Sequence, residues 1–365
     1  MSHSNLSSKH IHNFNSGPGI LPKEVVEQAA VSLVNHQNSG LSIAEIGHRT
    51  SLFTDVMEEA RQLVRELMQL DDEHEVLFLH GGASTQFMQV PMNLLDEKGC
   101  AAYADTGVWS TKAIKEANLF GKTEVVCSSR DKNYHYIPKD FAVPNEAQYF
   151  HITTNNTIYG TQWKRIPEVS IPLVADMSSD ILSRQLDFNR FALIYAGAQK
   201  NLGAAGCTIV VVNKNILGKT RRSIPTMFDY RLHIKEKSIL NTPPVMAIYI
   251  SMLTLRWLKS QGGAAALQPI NERKSLKLYT ELEQNGLFYP LVNNAEDRSI
   301  TNVCFAIKEK ALEPVFSSFC KENGIYGING HRLAGGFRAS LYNALPESSV
   351  DYLIEVLHEF MRIHG

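Results

Sequence analysis

A lysine that follows an apolar run and sits among small residues is the position in this chain best suited to covalent chemistry. Lys200 lies in Tyr195-Ala196-Gly197-Ala198-Gln199-Lys200-Asn201, with Gly203 and Gly206 close behind. Small neighbours let a planar group approach the backbone, and partial desolvation lowers an amine's pKa and frees it for Schiff-base chemistry. Taken alone, a surface lysine in a Gly/Ala turn carries the same signature. Asp176 ends a second apolar run, Ile171-Pro172-Leu173-Val174-Ala175-Asp176. At the C-terminal end of a parallel strand such a carboxylate can pair with a protonated pyridine nitrogen and stabilise an electron sink. It can equally cap a helix. The two residues together begin to specify one cofactor.

Other segments add groups that a phosphorylated ring would use. His80-Gly81-Gly82-Ala83-Ser84-Thr85 follows an apolar run and precedes a helical pattern, so its backbone N–H groups can form a phosphate cradle. It lacks the lysine spacing of a P-loop. Trp109 offers a flat face at a strand-to-helix junction, or packs in the core. Thr157, in Asn155-Asn156-Thr157-Ile158-Tyr159-Gly160, can donate a hydroxyl or cap a turn. His48-Arg49, His331-Arg332 and Arg338, the last in the glycine-rich Gly335-Gly336-Phe337-Arg338, supply forks for carboxylate or phosphate. Each arginine alone reads as a surface ion pair; the set points to a substrate anionic at both ends.

These residues need elements to hold them. Pro22 opens a helical pattern with Val26, Ala30, Leu33 and Val34 on one face. A stronger helix follows the cap candidates Thr50 and Ser51, with Phe53, Val56, Met57, Ala60, Val64, Leu67 and Met68 as its stripe. Candidate strands are 75–79, 100–105, 124–127, 149–153, 173–176, 193–196 and 207–212. They are nearly continuous apolar runs, as expected of strands buried on both faces of a mainly parallel sheet covered by helices. A helix is expected from near Thr242 to Gly262-Gly263, then a helix over 268–284, a strand over 302–307 and helices over 313–323 and 349–363. The expected architecture is α/β: a disordered lead-in over 1–12, a large cofactor-binding domain over 13–265 and a smaller α+β domain over 266–365.

Composition bounds the function classes. The 365 residues are 44% hydrophobic and 20% charged, and 36 basic against 37 acidic residues offer no electrostatic footprint for nucleic acid or an anionic membrane. Five scattered cysteines without CxxC spacing fit reduced thiols better than a disulfide framework or a zinc site. The polar opening MSHSNLSSKHIHNF has no apolar run of a secretion signal, and Val245–Leu258 is too short and too polar to span a bilayer. A cytoplasmic location without membrane or metal is the expectation.

Read together, the segments resemble the phosphoserine aminotransferase family, in the class V group of fold-type-I pyridoxal phosphate enzymes. The resemblance runs from about residue 13 to the C-terminus. It rests on Phe14-Asn15-Ser16-Gly17-Pro18-Gly19, Gly47-His48-Arg49, His80-Gly81-Gly82, Ala175-Asp176, Tyr195–Asn201, Asn241-Thr242-Pro243-Pro244 and Gly330–Pro346. It implies a large domain built on a seven-stranded, mainly parallel sheet and a small C-terminal domain, with pyridoxal 5'-phosphate as cofactor. It makes Lys200 the Schiff-base lysine and Asp176 the partner of the pyridine nitrogen, with Trp109 stacked on the ring and Thr157 bonded to its phenolic oxygen. Ala83 and Ser84 would face the cofactor phosphate, with Gln199 nearby. Asn241 and Thr242 would reach that phosphate from a second subunit, so a homodimer with shared sites is implied. Ser16, His48, Arg49, His331 and Arg332 would meet the substrate, and Arg338 would clamp its α-carboxylate. Two positions depart from the family pattern: Ser84, where some members carry arginine, and Asn156, where an acidic residue is usual.

The implied reaction moves an amino group from L-glutamate to 3-phosphohydroxypyruvate, with a phosphorylated hydroxythreonine precursor as a further candidate substrate. Rivals are a glyoxylate transaminase, which has little use for a second basic cluster, and a cysteine desulfurase. The latter needs a reactive thiol on a loop, whereas Cys320 lies in a helical pattern. A silent binding protein on the same fold would be expected to lose Lys200 or Asp176.

Overall fold

The computed structural model describes residues 11–365. A two-residue strand, β1 (His12–Asn13), is followed by the seven strands of the main sheet. These are β2 (His74–Leu79), β3 (Cys100–Asp105), β4 (Lys122–Ser128), β5 (Phe150–Thr153), β6 (Leu173–Asp176), β7 (Leu193–Gly197) and β8 (Thr208–Asn213). Their order is β2-β8-β7-β6-β5-β3-β4. β8 runs antiparallel to both neighbours, and every other pair is parallel. The chain steps outward from β3 to β4 and then returns to build β5, β6 and β7 on the other side of β3. That reversal opens a crevice at the C-terminal ends of β3, β5 and β6.

The helices are α1 (Lys23–Val34), α2 (Ser51–Met68), α3 (Gly82–Leu94), α4 (Val108–Ala117), α5 (Tyr230–Lys235), α6 (Val245–Ser260), α7 (Gly263–Gln284), α8 (Glu313–Glu322) and α9 (Glu347–His364). Alternate strand residues face opposite sides of the sheet. Phe78, Ile152, Ala175 and Val211 pack with α2 and α6, while Leu77, Tyr103, Val174 and Val210 pack with α3 and α4. Both faces are covered, which accounts for the unbroken apolar runs. No helix among the described residues is long and apolar enough to cross a membrane.

A second, antiparallel sheet of order β12-β10-β9 uses β9 (Phe288–Pro290), β10 (Asn302–Ile307) and β12 (Phe337–Ser340). Beside it, β11 (Ile325–Tyr326) pairs in parallel with β1. This sheet shares a core with α7, α8 and α9, centred on Phe288 between Phe316 at 4.6 Å and Phe305 at 6.0 Å.

Several expectations are corrected. The buried side of α1 is Val25, Ala29 and Ser32, whereas Val26, Leu33 and Val34 face outward. The helix expected from Thr242 starts three residues later, because Pro243 and Pro244 hold the preceding backbone extended. Gly262, in the left-handed region, separates it from α7, which begins five residues before the expected start. Arg338 sits in a strand, β12, and not in a glycine-rich turn: the two glycines precede the strand, and Arg338 pairs with Cys304. Most of the expected disordered lead-in lies outside the described residues; of its last two residues, His12 pairs with Ile325. Phe14 joins the aromatic core of the second sheet. Phe288→Ala is expected to cost about 3–5 kcal/mol of stability through lost burial and a residual cavity, measured as a lower urea midpoint.

Candidate active site

Lys200 lies just beyond the end of β7, in a turn that Leu202 closes by donating to the carbonyl of Ala198 at 3.1 Å. Its Nζ donates to Thr157 Oγ1 at 2.8 Å and stands 5.7 Å from the centre of the Trp109 ring. The Ser16–Gly19 segment lies against it. Gly19 N–H donates to the Gln199 carbonyl at 2.7 Å, and a Cβ on Gly19 would fall 2.7 Å from the Lys200 carbonyl oxygen. Glycine is therefore required there by proximity. Burial pushes the Lys200 amine down to about 8; the negative charge of Asp176 opposes that shift and the Arg338 guanidinium adds to it.

Asp176 ends β6 directly opposite Thr153 on β5 and Tyr195 on β7, so the three side chains share one face. Its Oδ1 accepts from the backbone N–H of Ser178 at 2.9 Å and from the Ser178 hydroxyl at 2.7 Å. Among the described residues no donor is placed on Oδ2. Burial raises the carboxyl above the usual range, while Lys200 and the Ser178 donors pull it back. The result is a fixed carboxylate with one oxygen left for an incoming N–H.

Trp109 stands in the first turn of α4, and that turn is held by a carboxylate that sequence reasoning missed. Asp105, at the end of β3, accepts from the Ser110 hydroxyl at 3.2 Å and the Thr111 hydroxyl at 2.9 Å, and meets Arg130 Nη2 at 3.2 Å. Its signal was the one that singled out Asp176: an acidic residue closing an apolar run. Asn156 ties the Thr157 loop to the Trp109 loop, because its amide nitrogen donates to the Thr106 carbonyl while its Oδ1 accepts from Ile158 N–H at 3.3 Å. A carboxylate at this position has no proton for Thr106, which gives the departure at Asn156 a local reason. The indole Nε1 of Trp109 is buried without a partner.

Gly81, at φ +89°, turns the chain from β2 into α3; a Cβ there would lie 1.8 Å from Thr85 Oγ1. Ala83 and Ser84 fall in the first helical turn, whose N–H groups have no intrahelical acceptor and point positive potential outward. His80 Nε2 donates to the Thr242 carbonyl at 2.9 Å, bringing Asn241 and Thr242 beside this turn within the same chain.

Arg338 reaches across from β12. It donates to the Thr157 carbonyl at 3.1 Å and to Ser16 Oγ at 2.6 Å, and its Nε is buried without a partner. Tyr342 supports the same residue by donating to the Ser16 carbonyl at 2.6 Å. Burial lowers the His331 pKa, and the positive charges of Arg338, Arg332 and Lys112 lower it further. Lys112, over the Trp109 ring at 4.7 Å, was not singled out from the sequence; its helical spacing of three from Trp109 was the available clue. Lys200, Asp176, Thr157, Trp109, Gln199, Ser16 and Arg338 are thus brought together, with His331 and Arg332 beside them. His48 and Arg49 are not: among the described residues no hydrogen bond or ion pair joins either to this group. Cys320 is buried within α8 and does not lie on a loop.

A model of the family described as "Aminotransferase class-V" matches residues 11–353. The chain belongs to the class-V aminotransferases. It is similar to a phosphoserine aminotransferase of Flavobacterium psychrophilum, 54% identical over 95% of this chain and 98% of that one. Its fold matches a phosphoserine aminotransferase from Bacillus circulans subsp. alkalophilus at a TM-score of 0.95, with 41% identity over 98% of this chain and 100% of the other. A pyridoxal-phosphate-bound phosphoserine aminotransferase from Trichomonas vaginalis gives a TM-score of 0.90 and 33% identity over 96% and 100%.

Class-V aminotransferases work with pyridoxal phosphate, and the residues gathered here carry groups that fit it. They are the unpaired Asp176 oxygen, the free first-turn N–H groups of α3, the indole face and a lysine amine with a lowered pKa. With Lys200 as the lysine that would take up pyridoxal phosphate, recombination in the cofactor-free protein is expected to speed up as pH rises. The midpoint should lie near 8, since only the neutral amine attacks; an ordinary lysine would place it more than about two units higher. Asn156→Asp is expected to remove the donor to Thr106 and lower stability by about 1–3 kcal/mol, read as a reduced urea midpoint.

Proposed function

We propose that this class-V aminotransferase is a phosphoserine aminotransferase. It transfers the amino group of L-glutamate to 3-phosphohydroxypyruvate, giving O-phospho-L-serine and 2-oxoglutarate. The observation that carries the reading is the pairing of Arg338 with a flanking group of positive charge. The guanidinium stands beside the Thr157–Lys200 pair, and together with Arg332 and Lys112 it acts on His331, whose lowered pKa reflects burial and those three positive charges. A keto acid with a carboxylate at one end and a phosphate at the other matches that spread of charge, and the relatives' names agree with it.

Bound pyridoxal phosphate supplies an electron sink for the charge that develops at the substrate's α-carbon. In this reading Asp176 holds the pyridine N–H through its free oxygen. Trp109 faces the ring, and the Thr157 hydroxyl meets its phenolic oxygen. The N–H groups of Ala83 and Ser84, with Gln199, hold its phosphate. Lys200, whose amine burial lowers to about 8, takes the α-proton of the amino acid and returns a proton to the acceptor carbon in the second half of the cycle. Arg338 and Ser16 hold the α-carboxylate, and His331 and Arg332 hold the distal anionic group.

We assign the remaining residues to a homodimer. His48 and Arg49 would then complete the anion site, and Asn241 and Thr242 would reach the cofactor phosphate of the second copy. The outward apolar residues of α1, with Val34 81% exposed and Val31 67% exposed, support such an interface. The division of labour we assign is a cofactor-binding unit over 13–265 and a smaller one over 266–365. Five free cysteines fit a reducing cytoplasm.

The test compares acceptors at equal concentration with glutamate as donor. Phosphohydroxypyruvate is expected to exceed glyoxylate by at least about 100-fold in kcat/KM, with the phosphorylated hydroxythreonine keto acid run alongside; equal rates with glyoxylate overturn the assignment. Lys200→Ala is expected to lose at least about 1,000-fold in turnover, and full activity would remove it as the base. Arg338→Ala is expected to raise KM for glutamate by about 100-fold.

A further inference from the structure

Among the described residues Lys274 is the one fully buried lysine. It projects from α7, and its Nζ donates to three backbone carbonyls: Leu341 at 3.2 Å, Tyr342 at 3.0 Å and Leu345 at 3.1 Å. Among the described residues no carboxylate pairs with it. Burial pushes the Lys274 pKa down to about 7, and the charge of Glu347, itself engaged by Arg273 and Lys277, opposes that shift. So do the three carbonyl acceptors, which need an ammonium to satisfy them all. Three carbonyl dipoles converging on one point repel one another unless a donor with several protons sits between them, and an ammonium is the side chain that offers three. One turn earlier on the same helix, the Asn271 amide donates to Asn343 Oδ1 at 2.8 Å. The two residues therefore grip the 341–345 turn from one helix face.

That turn reaches the site by two routes. Tyr342 donates to the Ser16 carbonyl, and its ring would lie 2.8 Å from a Cβ on Gly19, which bonds to Gln199. Asn343 N–H donates to Asn201 Oδ1 at 2.9 Å, next to Lys200. Ser16 in turn accepts from Arg338.

We infer that Lys274 is a positioning residue for the carboxylate-binding side of the site: its ammonium fixes the 341–345 turn and, through Tyr342, sets where Ser16 and Arg338 stand against Lys200. The inference rests on the roles proposed above for Arg338 and Lys200. A merely structural lysine would affect stability alone. A positioning lysine affects recognition of the carboxylate in protein that is folded and loaded with cofactor.

The experiment compares the wild-type holoenzyme with Lys274→Met, Lys274→Gln and Tyr342→Phe. KM for L-glutamate and the calorimetric affinity for maleate, a non-reacting dicarboxylate, are the readouts. Folded Lys274→Met or Lys274→Gln is expected to raise KM about tenfold with kcat within about threefold of wild type, and to weaken maleate by the same factor. Tyr342→Phe loses only the hydroxyl bond to Ser16 and is expected to raise KM as well. Its combination with Lys274→Met should be less than additive, since both act along one route. Normal KM and maleate affinity in a folded lysine variant overturn the inference. So does a normal KM in Tyr342→Phe, which decides the matter if neither lysine variant folds. A wild-type enzyme that fails to transaminate glutamate overturns the proposed function instead, and the maleate ratio still decides the role of Lys274.

Discussion

The site depends on keeping a lysine amine and a carboxylate out of water without pairing them directly. Desolvation disfavours the charged forms of both Lys200 and Asp176, and each in turn favours the charge of the other. Neither effect alone yields a useful group. An amine fully paired with the carboxylate would stay protonated, and one without any acceptor would be costly to bury. The structure settles this with intermediaries. Thr157 takes the Lys200 proton donor and Ser178 takes one Asp176 oxygen, so the two charges feel each other without forming a direct hydrogen bond. Arg338 adds a positive charge that further favours the neutral amine, so the proposed substrate clamp also tunes the proposed base.

The strands that carry these groups were legible because burial on both faces makes strands read as apolar runs. β3, β6 and β10 coincide with the expected spans at both ends, β2, β5 and β7 differ by one residue at one end, and β4 and β8 differ at both ends by one or two residues. Lys200 and Asp176 stood out as polar residues closing such runs. Arg338 was recognised as an anion binder but assigned to a turn, since Gly335 and Gly336 mask the start of a four-residue strand whose partner lies 34 positions upstream. The outward face of α1 was misassigned for a different reason. Apolar residues populate both sides of that helix, so periodicity alone cannot choose the side that packs on the sheet. Asp105 closes an apolar run just as Asp176 does, yet no surrounding motif marked it. At Asn156 the departure was visible but its partner Thr106 was not, and Lys274 escaped notice because its acceptors Leu341, Tyr342 and Leu345 lie far along the chain.

The loops around the site are held largely by side chains that bond backbone. Asn156 bonds the Thr106 carbonyl, Arg338 the Thr157 carbonyl, Tyr342 the Ser16 carbonyl and Lys274 three carbonyls at once. Backbone acceptors are present whatever residue occupies a position, so these ties constrain the path of the chain and leave the acceptor residues' identities free. The reacting groups can then be held by loops, which otherwise lack the precision of helices and strands. Asn156 and Gly107 show how close the fit is, since a Cβ on Gly107 would lie 2.3 Å from the Asn156 amide nitrogen.

The strap formed by residues 14–19 has a consequence for how the protein is made. It leaves the ribosome well ahead of every partner that holds it, the nearest of which is Gln199. Phe14 N–H bonds to the Tyr326 carbonyl, Ser16 meets Arg338 and Tyr342, and Gly19 bonds to Gln199. Nothing synthesised before residue 199 can hold it by these contacts. Gly19 can pair once residue 199 is made, but the contacts of Phe14 and Ser16 must wait for residues 326–342, so the nascent chain carries a finished sheet well before it carries a finished catalyst.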